Sequence, residues 1–403
     1  MSHPLRVLVA SASPTGIPSR ELSLGGITVR TCAAKFALVG LALLSCPALA
    51  QRANVEEPAT PQALERLNAY TEGVTAAGQF SGVVLVARDD KVVFERAYGL
   101  RDEKREDPLK VETRFDLASA GKMFAATAIL QQIAAGKLTL ATTLGDVLPD
   151  YPNVAMRKAT IYQLLTHSAG AGETDALFYP DDLVWREKEP SVADLVALYG
   201  KRAPTFPPGT KQDYSNHTMT LLGRIVEVLS GQSYRSYVAD HVFRPAGMDA
   251  AHANDACRPD DPGQAVGYVV VADERMPNCF AALDGGWPAG GQSFTARDIL
   301  RFVTALRQGR LGVPHALFEQ ATTPKLTYFG LGFFATDYGK GYLARDLRWG
   351  HGGMLYGQCV DVRTYEMTGE TIITLANNGS PACYRVAGFL HEDWKQQNVQ
   401  RKP

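Results

Sequence analysis

Strand patterns gather at the two ends of this chain, with a long, mainly helical stretch between them, and that arrangement restricts the fold more than any other feature. Ser81 to Gly99 reads as a β-hairpin: the run Val83-Val84-Leu85-Val86-Ala87, a turn at Asp89-Asp90, and the run Val92-Val93-Phe94. Strand patterns return at Leu326 to Ala335, Tyr342 to Trp349, Gln358 to Thr364 and Thr371 to Ala376. An amphipathic helix over 61–78, with Leu64, Leu67 and Val74, precedes the hairpin, and a last helix is expected from about Cys383 to Lys395. Helical patterns dominate from Lys122 to about Leu311, broken by loop signals at Tyr151-Pro152-Asn153, Phe206-Pro207-Pro208-Gly209 and Pro288-Ala289-Gly290-Gly291. The expectation is an α/β (α+β) fold in which both chain ends build one antiparallel sheet, flanked by helices. A mainly helical lobe is inserted between its second and third strands. The lobes would run over about 61–118 with 312–398 for the sheet and about 119–311 for the helices, with any active site between them.

At the junction of the two lobes stands Phe115-Asp116-Leu117-Ala118-Ser119-Ala120-Gly121-Lys122-Met123-Phe124. Apolar residues recur at helical spacing from there through Phe124, Ile129, Leu130 and Ile133, until Gly136 supplies a stop. Ser119 and Lys122 therefore share one face of a first helical turn. A serine hydroxyl is a poor nucleophile without a base, and a lysine is that base only if its pKa, about 10.4 when free, is lowered by burial or by the helix dipole. Taken alone, Ser-x-x-Lys is weak, since it arises by chance roughly once in a chain of this length.

The first fifty residues read as export machinery. Arg30 and Lys35 precede the apolar run from Phe36 to Leu44, and Ala48-Leu49-Ala50 provides the small residues a signal peptidase needs, so cleavage is expected after Ala50. The run is short for a bilayer span. Leu43-Leu44-Ser45-Cys46 offers a second processing site, a lipid anchor at Cys46, and the long stretch before residue 30 leaves room for a later start codon. Residues 51–60 form a polar linker, and the catalytic domain is expected over 61–398. A periplasmic or secreted location follows from the leader. Without it, Cys257, Cys279, Cys359 and Cys383 remain, which permits two disulfides, with sequence proximity favouring 257 with 279 and 359 with 383.

The balance of 41 basic and 42 acidic residues, with no basic run, argues against a nucleic-acid partner. No Cys-x-x-Cys or His-x-x-x-His spacing suggests zinc, and no cofactor is implied. There is no internal repeat or low-complexity segment.

Two further clusters carry chemistry. Asp213-Tyr214-Ser215-Asn216 lies just before a helical pattern with Leu221, Leu222, Ile225 and Leu229, where a tyrosine can relay a proton and an amide can orient a lysine. The plainer reading is a turn tyrosine and an asparagine N-cap. Trp349-Gly350-His351-Gly352-Gly353 lies on or beside a strand pattern, and its glycines leave room for a ligand backbone.

In order along the chain, Ser119-x-x-Lys122, Tyr214-x-Asn216 and His351-Gly352-Gly353 resemble the three motifs of the serine β-lactamase and penicillin-binding-protein superfamily. The class C-related branch, with its D-amino-acid peptidases, D-alanyl-D-alanine carboxypeptidases and esterases, is the nearer likeness. Connecting segments match as well: Leu164 to Gly170, Pro208-Gly209-Thr210, Pro245 to Met248, and Ala289-Gly290-Gly291 leading to Ser293 through Asp298.

The resemblance implies an acyl-enzyme on Ser119, with Lys122 and Tyr214 sharing the general-base work and Asn216 holding the substrate and orienting Lys122. It implies an oxyanion hole from the backbone N–H groups of Ser119 and Met354, beside His351, Gly352 and Gly353. His351 departs from the lysine of classical β-lactamases and is the usual residue in the peptidase and esterase relatives. His167 is expected to be structural. The substrate would be a small molecule or peptide, including cell-wall fragments. β-Lactamase or carboxypeptidase action is the alternative, and a non-catalytic peptidoglycan-binding scaffold is the reading from another class.

Overall fold

The computed structural model describes residues 59–172, 191–255, 258–271, 274–278, 286–337, 347–355, 357–366 and 368–400. Its organising element is strand β1, Gly82–Arg88, whose sequence is almost wholly apolar because both of its faces are covered. Val83, Leu85 and Ala87 enter one core, and Val84 and Val86 enter a second. The two-residue turn at Asp89 and Asp90, both with positive φ, returns the chain as β2, Lys91–Tyr98.

The remaining strands of the main sheet come from the other end of the chain: β3 Phe334–Asp337, β4 Leu347–Leu355, β5 Gln358–Tyr365 and β6 Glu370–Ala376. Among the described residues the order is β2-β1-β6-β5-β4-β3, antiparallel throughout, with Gly82 opposite Ala376 and Met354 opposite Cys359. The expected sheet built from both ends, with a helical insertion after its second strand, is therefore present. On one face pack α1, Pro61–Ala76, and the terminal helix α5, Ala382–Gln400, closing a core of Leu67, Phe80, Val84, Ile372 and Val386. On the other face lies the larger core around α2, Lys122–Ala134, α3, Asn216–Ser230, and α4, Ala296–Arg307. Nearly every side chain of α2 is buried, so it is the central helix of the inserted lobe rather than an amphipathic cover.

Three expectations change. Leu326 to Ala335 is strand only from Phe334; Phe329, Leu331 and Phe333 are buried in an irregular segment, so their apolar character reflects burial and not a ladder. Within the helical stretch a two-stranded hairpin, Tyr268–Val271 with Glu274–Pro277, interrupts the pattern. Ser215, not Asn216, caps α3, its hydroxyl accepting from the Thr218 N–H at 3.1 Å. Of the two suggested disulfides, Cys359–Cys383 is formed, while Cys257 and Cys279 lie outside the described residues, as does the leader.

One buried carboxylate ties the two ends together. Glu370, fully buried, accepts from the Ala59 N–H at 2.9 Å, from Arg88 at 3.2 Å and from His391 Nε2 at 3.0 Å. Burial alone would raise its pKa, but the bond and charge of His391, with the Ala59 and Arg88 donors, hold it below its ordinary 4.5. Its contribution is thus present above the unfolded carboxylate value and lost as pH falls through the lower folded one. Glu370→Gln should cost roughly 1.5 to 3 kcal/mol at neutral pH. Urea unfolding of both proteins should show that gap narrowing from about pH 7 to about pH 3, and a constant gap would refute the assignment.

Candidate active site

Three segments distant in sequence meet at one ammonium group. Lys122, fully buried, donates from Nζ to Ser119 Oγ at 3.0 Å, to Asn216 Oδ1 at 2.6 Å and to the Ala289 carbonyl at 2.7 Å. Three oxygens match the three donors of an ammonium. Local structure explains how each arrives. Residues Ala118–Gly121 form a 3-10 turn leading into α2, which brings Ser119 onto the same side as Lys122. Asn216 is the first residue of α3, directed inward because the Ser215 cap fixes the helix start. Ala289 belongs to the turn between Trp287 and Gly290.

The turn that carries Ser119 is held closely. Ala118 takes a positive φ of 43°, which costs energy for a residue with a Cβ, and its N–H donates to Asp116 Oδ1 at 2.6 Å. Burial pushes the Asp116 carboxyl up to about 6, and the Ala118 bond opposes that. Two glycines press against the turn where no side chain fits. A Cβ on Gly290 would lie 2.1 Å from the Ala118 carbonyl, and one on Gly353 would lie 2.4 Å from the Leu117 carbonyl and 3.0 Å from the Ser119 nitrogen. Gly353 thus brings β4 against Ser119, and Met354 follows it with 46% of its surface exposed.

Tyr214 is half-buried, its ring centroid 4.9 Å from Lys122 Nζ. His167 stacks on Tyr214 at 4.7 Å, and its Nδ1 accepts the Ser215 N–H at 3.2 Å. Burial, then the charge of Lys122, holds His167 well below its usual pKa, so it is a neutral turn residue that shapes the Tyr214 loop. His351 stacks on Phe334 at 3.9 Å with its centroid 6.4 Å from that of Tyr214. Its Nδ1 meets the Gly352 carbonyl at 2.5 Å and therefore carries the ring proton, which leaves Nε2 with a lone pair. Burial, then Lys122, lowers the His351 pKa to about 3, so the ring is neutral at working pH. Gly352 faces away from the Ser119 turn, toward Tyr384.

All eight residues expected from the sequence stand on the segments that converge here. Missed were the Ala289 carbonyl, a backbone atom that no side-chain motif reports, and Phe334, Phe329 and Tyr384, whose approach depends on the folded sheet. The Ala289-Gly290-Gly291 signal pointed to the first. Among the described residues no cluster of His, Cys, Asp and Glu could hold a metal ion.

The Beta-lactamase family profile matches residues 67–387. Penicillin-binding protein 4* of Bacillus subtilis is 29% identical over 282 residues, covering 66% of this chain and 60% of that protein. Esterase EstB of Burkholderia gladioli is 28% identical over 271 residues, covering 59% of this chain and 68% of its own. The crystal structure of a penicillin-binding protein from Bacillus halodurans superposes with a TM-score of 0.68 at 25% identity, over 81% of this chain and 99% of that one. A sheet closed by both chain ends, a serine and a buried lysine in contact, and a profile match over most of the chain agree: this protein belongs to the Beta-lactamase family and is a serine hydrolase.

Proposed function

We propose that this chain is an exported hydrolase that cleaves an ester or amide bond through an acyl-enzyme on Ser119. The observation that carries the proposal is the 3.0 Å contact of Lys122 Nζ with Ser119 Oγ, made by a lysine that Asn216 and Ala289 hold in place. Lys122, acting in its neutral amine form and not as the ammonium that donates to three oxygens at rest, would share with Tyr214 the proton of the attacking hydroxyl and return it to the leaving group. The N–H groups of Ser119 and Met354 would hold the developing oxyanion, where one such donor is worth about 3 to 4 kcal/mol. Water then releases the acyl group by the reverse transfer. Export rests on the leader through Ala50, and no helix among the described residues is long and apolar enough to cross a membrane.

The names of the relatives support two substrate types, the ester of esterase EstB, and the penicillin or peptide named in a penicillin-binding protein and a putative D-alanyl-D-alanine carboxypeptidase. His351 favours the former. Its neutral ring supplies no charge at position 351 to pair the carboxylate of a penicillin or a peptide terminus. A non-catalytic scaffold would need neither the nucleophile nor the lysine in contact with it.

Ser119→Ala should fold as the wild type does and lose at least about a thousandfold in turnover of p-nitrophenyl butyrate. Intact mass should show fluorophosphonate adding once to the wild type and not to the variant. Retained esterase activity in purified variant would remove Ser119 as nucleophile.

The wild type should hydrolyse p-nitrophenyl butyrate with higher kcat/KM than a chromogenic cephalosporin. His351→Lys should narrow that gap about ten- to a hundredfold, the worth of a charge-assisted hydrogen bond of roughly 1.5 to 3 kcal/mol. With the His351 pKa at about 3, no gain in cephalosporin turnover should accompany acidification through the ordinary histidine range. A wild type that prefers the cephalosporin would restore β-lactamase action.

A further inference from the structure

The strand segment 352–354 is clamped from both sides. Gly353 lies against the nucleophile turn, and the opposite face of the strand meets Tyr384, from the first turn of α5. The Tyr384 ring comes within 3.2 Å of where a Gly352 side chain would begin, and its hydroxyl donates to the Gly353 carbonyl at 3.5 Å. Tyr384 is itself fixed by its neighbours. Cys383, the residue before it, is bonded to Cys359, and Cys359 stands opposite Met354 in the β4–β5 ladder. Arg363 donates to the Tyr384 carbonyl at 3.0 Å and from Nε to Asp361 at 2.7 Å, and Asp361 stands opposite Gly352. Every strand position from 352 to 354 is therefore backed by a residue tied to the start of α5.

We infer that Tyr384 is a positioning residue for the oxyanion hole, and that the Cys359–Cys383 bond holds it against the strand. This rests on the reading of the Met354 N–H as an oxyanion donor. The strand has no side chain at 352 or 353 to lock it in place, so its position along the direction of Ser119 is set by what presses on each face. Tyr384 presses on the face of the strand opposite the Ser119 turn, so its effect on the reaction would pass through the strand. Its loss should affect the charged transition state more than the bound substrate.

The test compares Tyr384→Ala, Tyr384→Phe and the double variant Cys359→Ala/Cys383→Ala with the wild type on p-nitrophenyl butyrate. Affinity for phenylboronic acid, whose serine adduct places an oxygen in the hole, is measured alongside. Tyr384→Ala should lower kcat about tenfold with KM near the wild-type value, and boronate affinity should fall in step. Tyr384→Phe keeps the ring against Gly352 and should recover most of the loss. The cysteine pair should lower kcat in the same sense, and combining it with Tyr384→Ala should add little, because both remove one support. A Tyr384→Ala enzyme with lower melting temperature but unchanged kcat and boronate affinity would overturn the inference, leaving a purely structural contact. If the cysteine variant fails to fold, the two Tyr384 variants decide. Activity surviving in Ser119→Ala would instead refute the acyl-enzyme reading, independently of what Tyr384 does.

Discussion

An ammonium group removed from water costs several kcal/mol unless oxygens replace its hydration, and Lys122 is fully buried. The three oxygens that meet it come from Ser119, from a residue 94 positions on and from a carbonyl 167 positions on. The inserted lobe therefore cannot loosen at α3 or at the Trp287–Gly290 turn without exposing an unpaired charge. Burial first, and then the same charge, hold His167 and His351 below their ordinary pKa, so neither adds a second cation here. The contact of Lys122 with Ser119 and the packing of the lobe are thus one arrangement, held by a single side chain.

Much of this was legible in the sequence because it is local or periodic. The hairpin announced itself through an uninterrupted apolar run and a two-aspartate turn, because both faces of the sheet are covered, whereas β5 and β6 showed through β-branched residues, Val360 and Val362 between polar neighbours and Ile372-Ile373 between threonines. Ser119 with Lys122, and Tyr214 with Asn216, are close pairs that their own helix starts bring together. The segment from Leu326 misled for the same reason that β1 was clear: burial makes an apolar run whether or not a ladder forms. The carbonyl of Ala289 and the ring of Tyr384 were invisible because their roles depend on contacts across the whole fold.

Close approach at this site is obtained by removing side chains rather than by adding contacts. Gly353 and Gly290 let two backbones touch the turn that presents Ser119, and Gly350, at φ 147°, has the Val362 carbonyl where a Cβ would stand. Such positions tolerate no side chain without displacing backbone, so the place of the strand beside Ser119 is defined sterically. Ala118 and His167, which combine a Cβ with a positive φ at this site, carry the strain that those glycines avoid.

The order of strands also sets an order of events when the chain is made. Synthesis proceeds from the N-terminus, and β1 and β2 emerge early, yet the inner edge of β1 pairs only with β6; the contact of Ala59 with Glu370 spans 311 positions. Until the last strand is available, the hairpin offers an open edge between two apolar faces, the feature that invites pairing with another chain. A product cut short before Glu370 would retain Ser119, Lys122, Tyr214 and Asn216 and still lack the strand that joins the two halves of the sheet. Premature termination should therefore yield aggregate rather than a smaller enzyme.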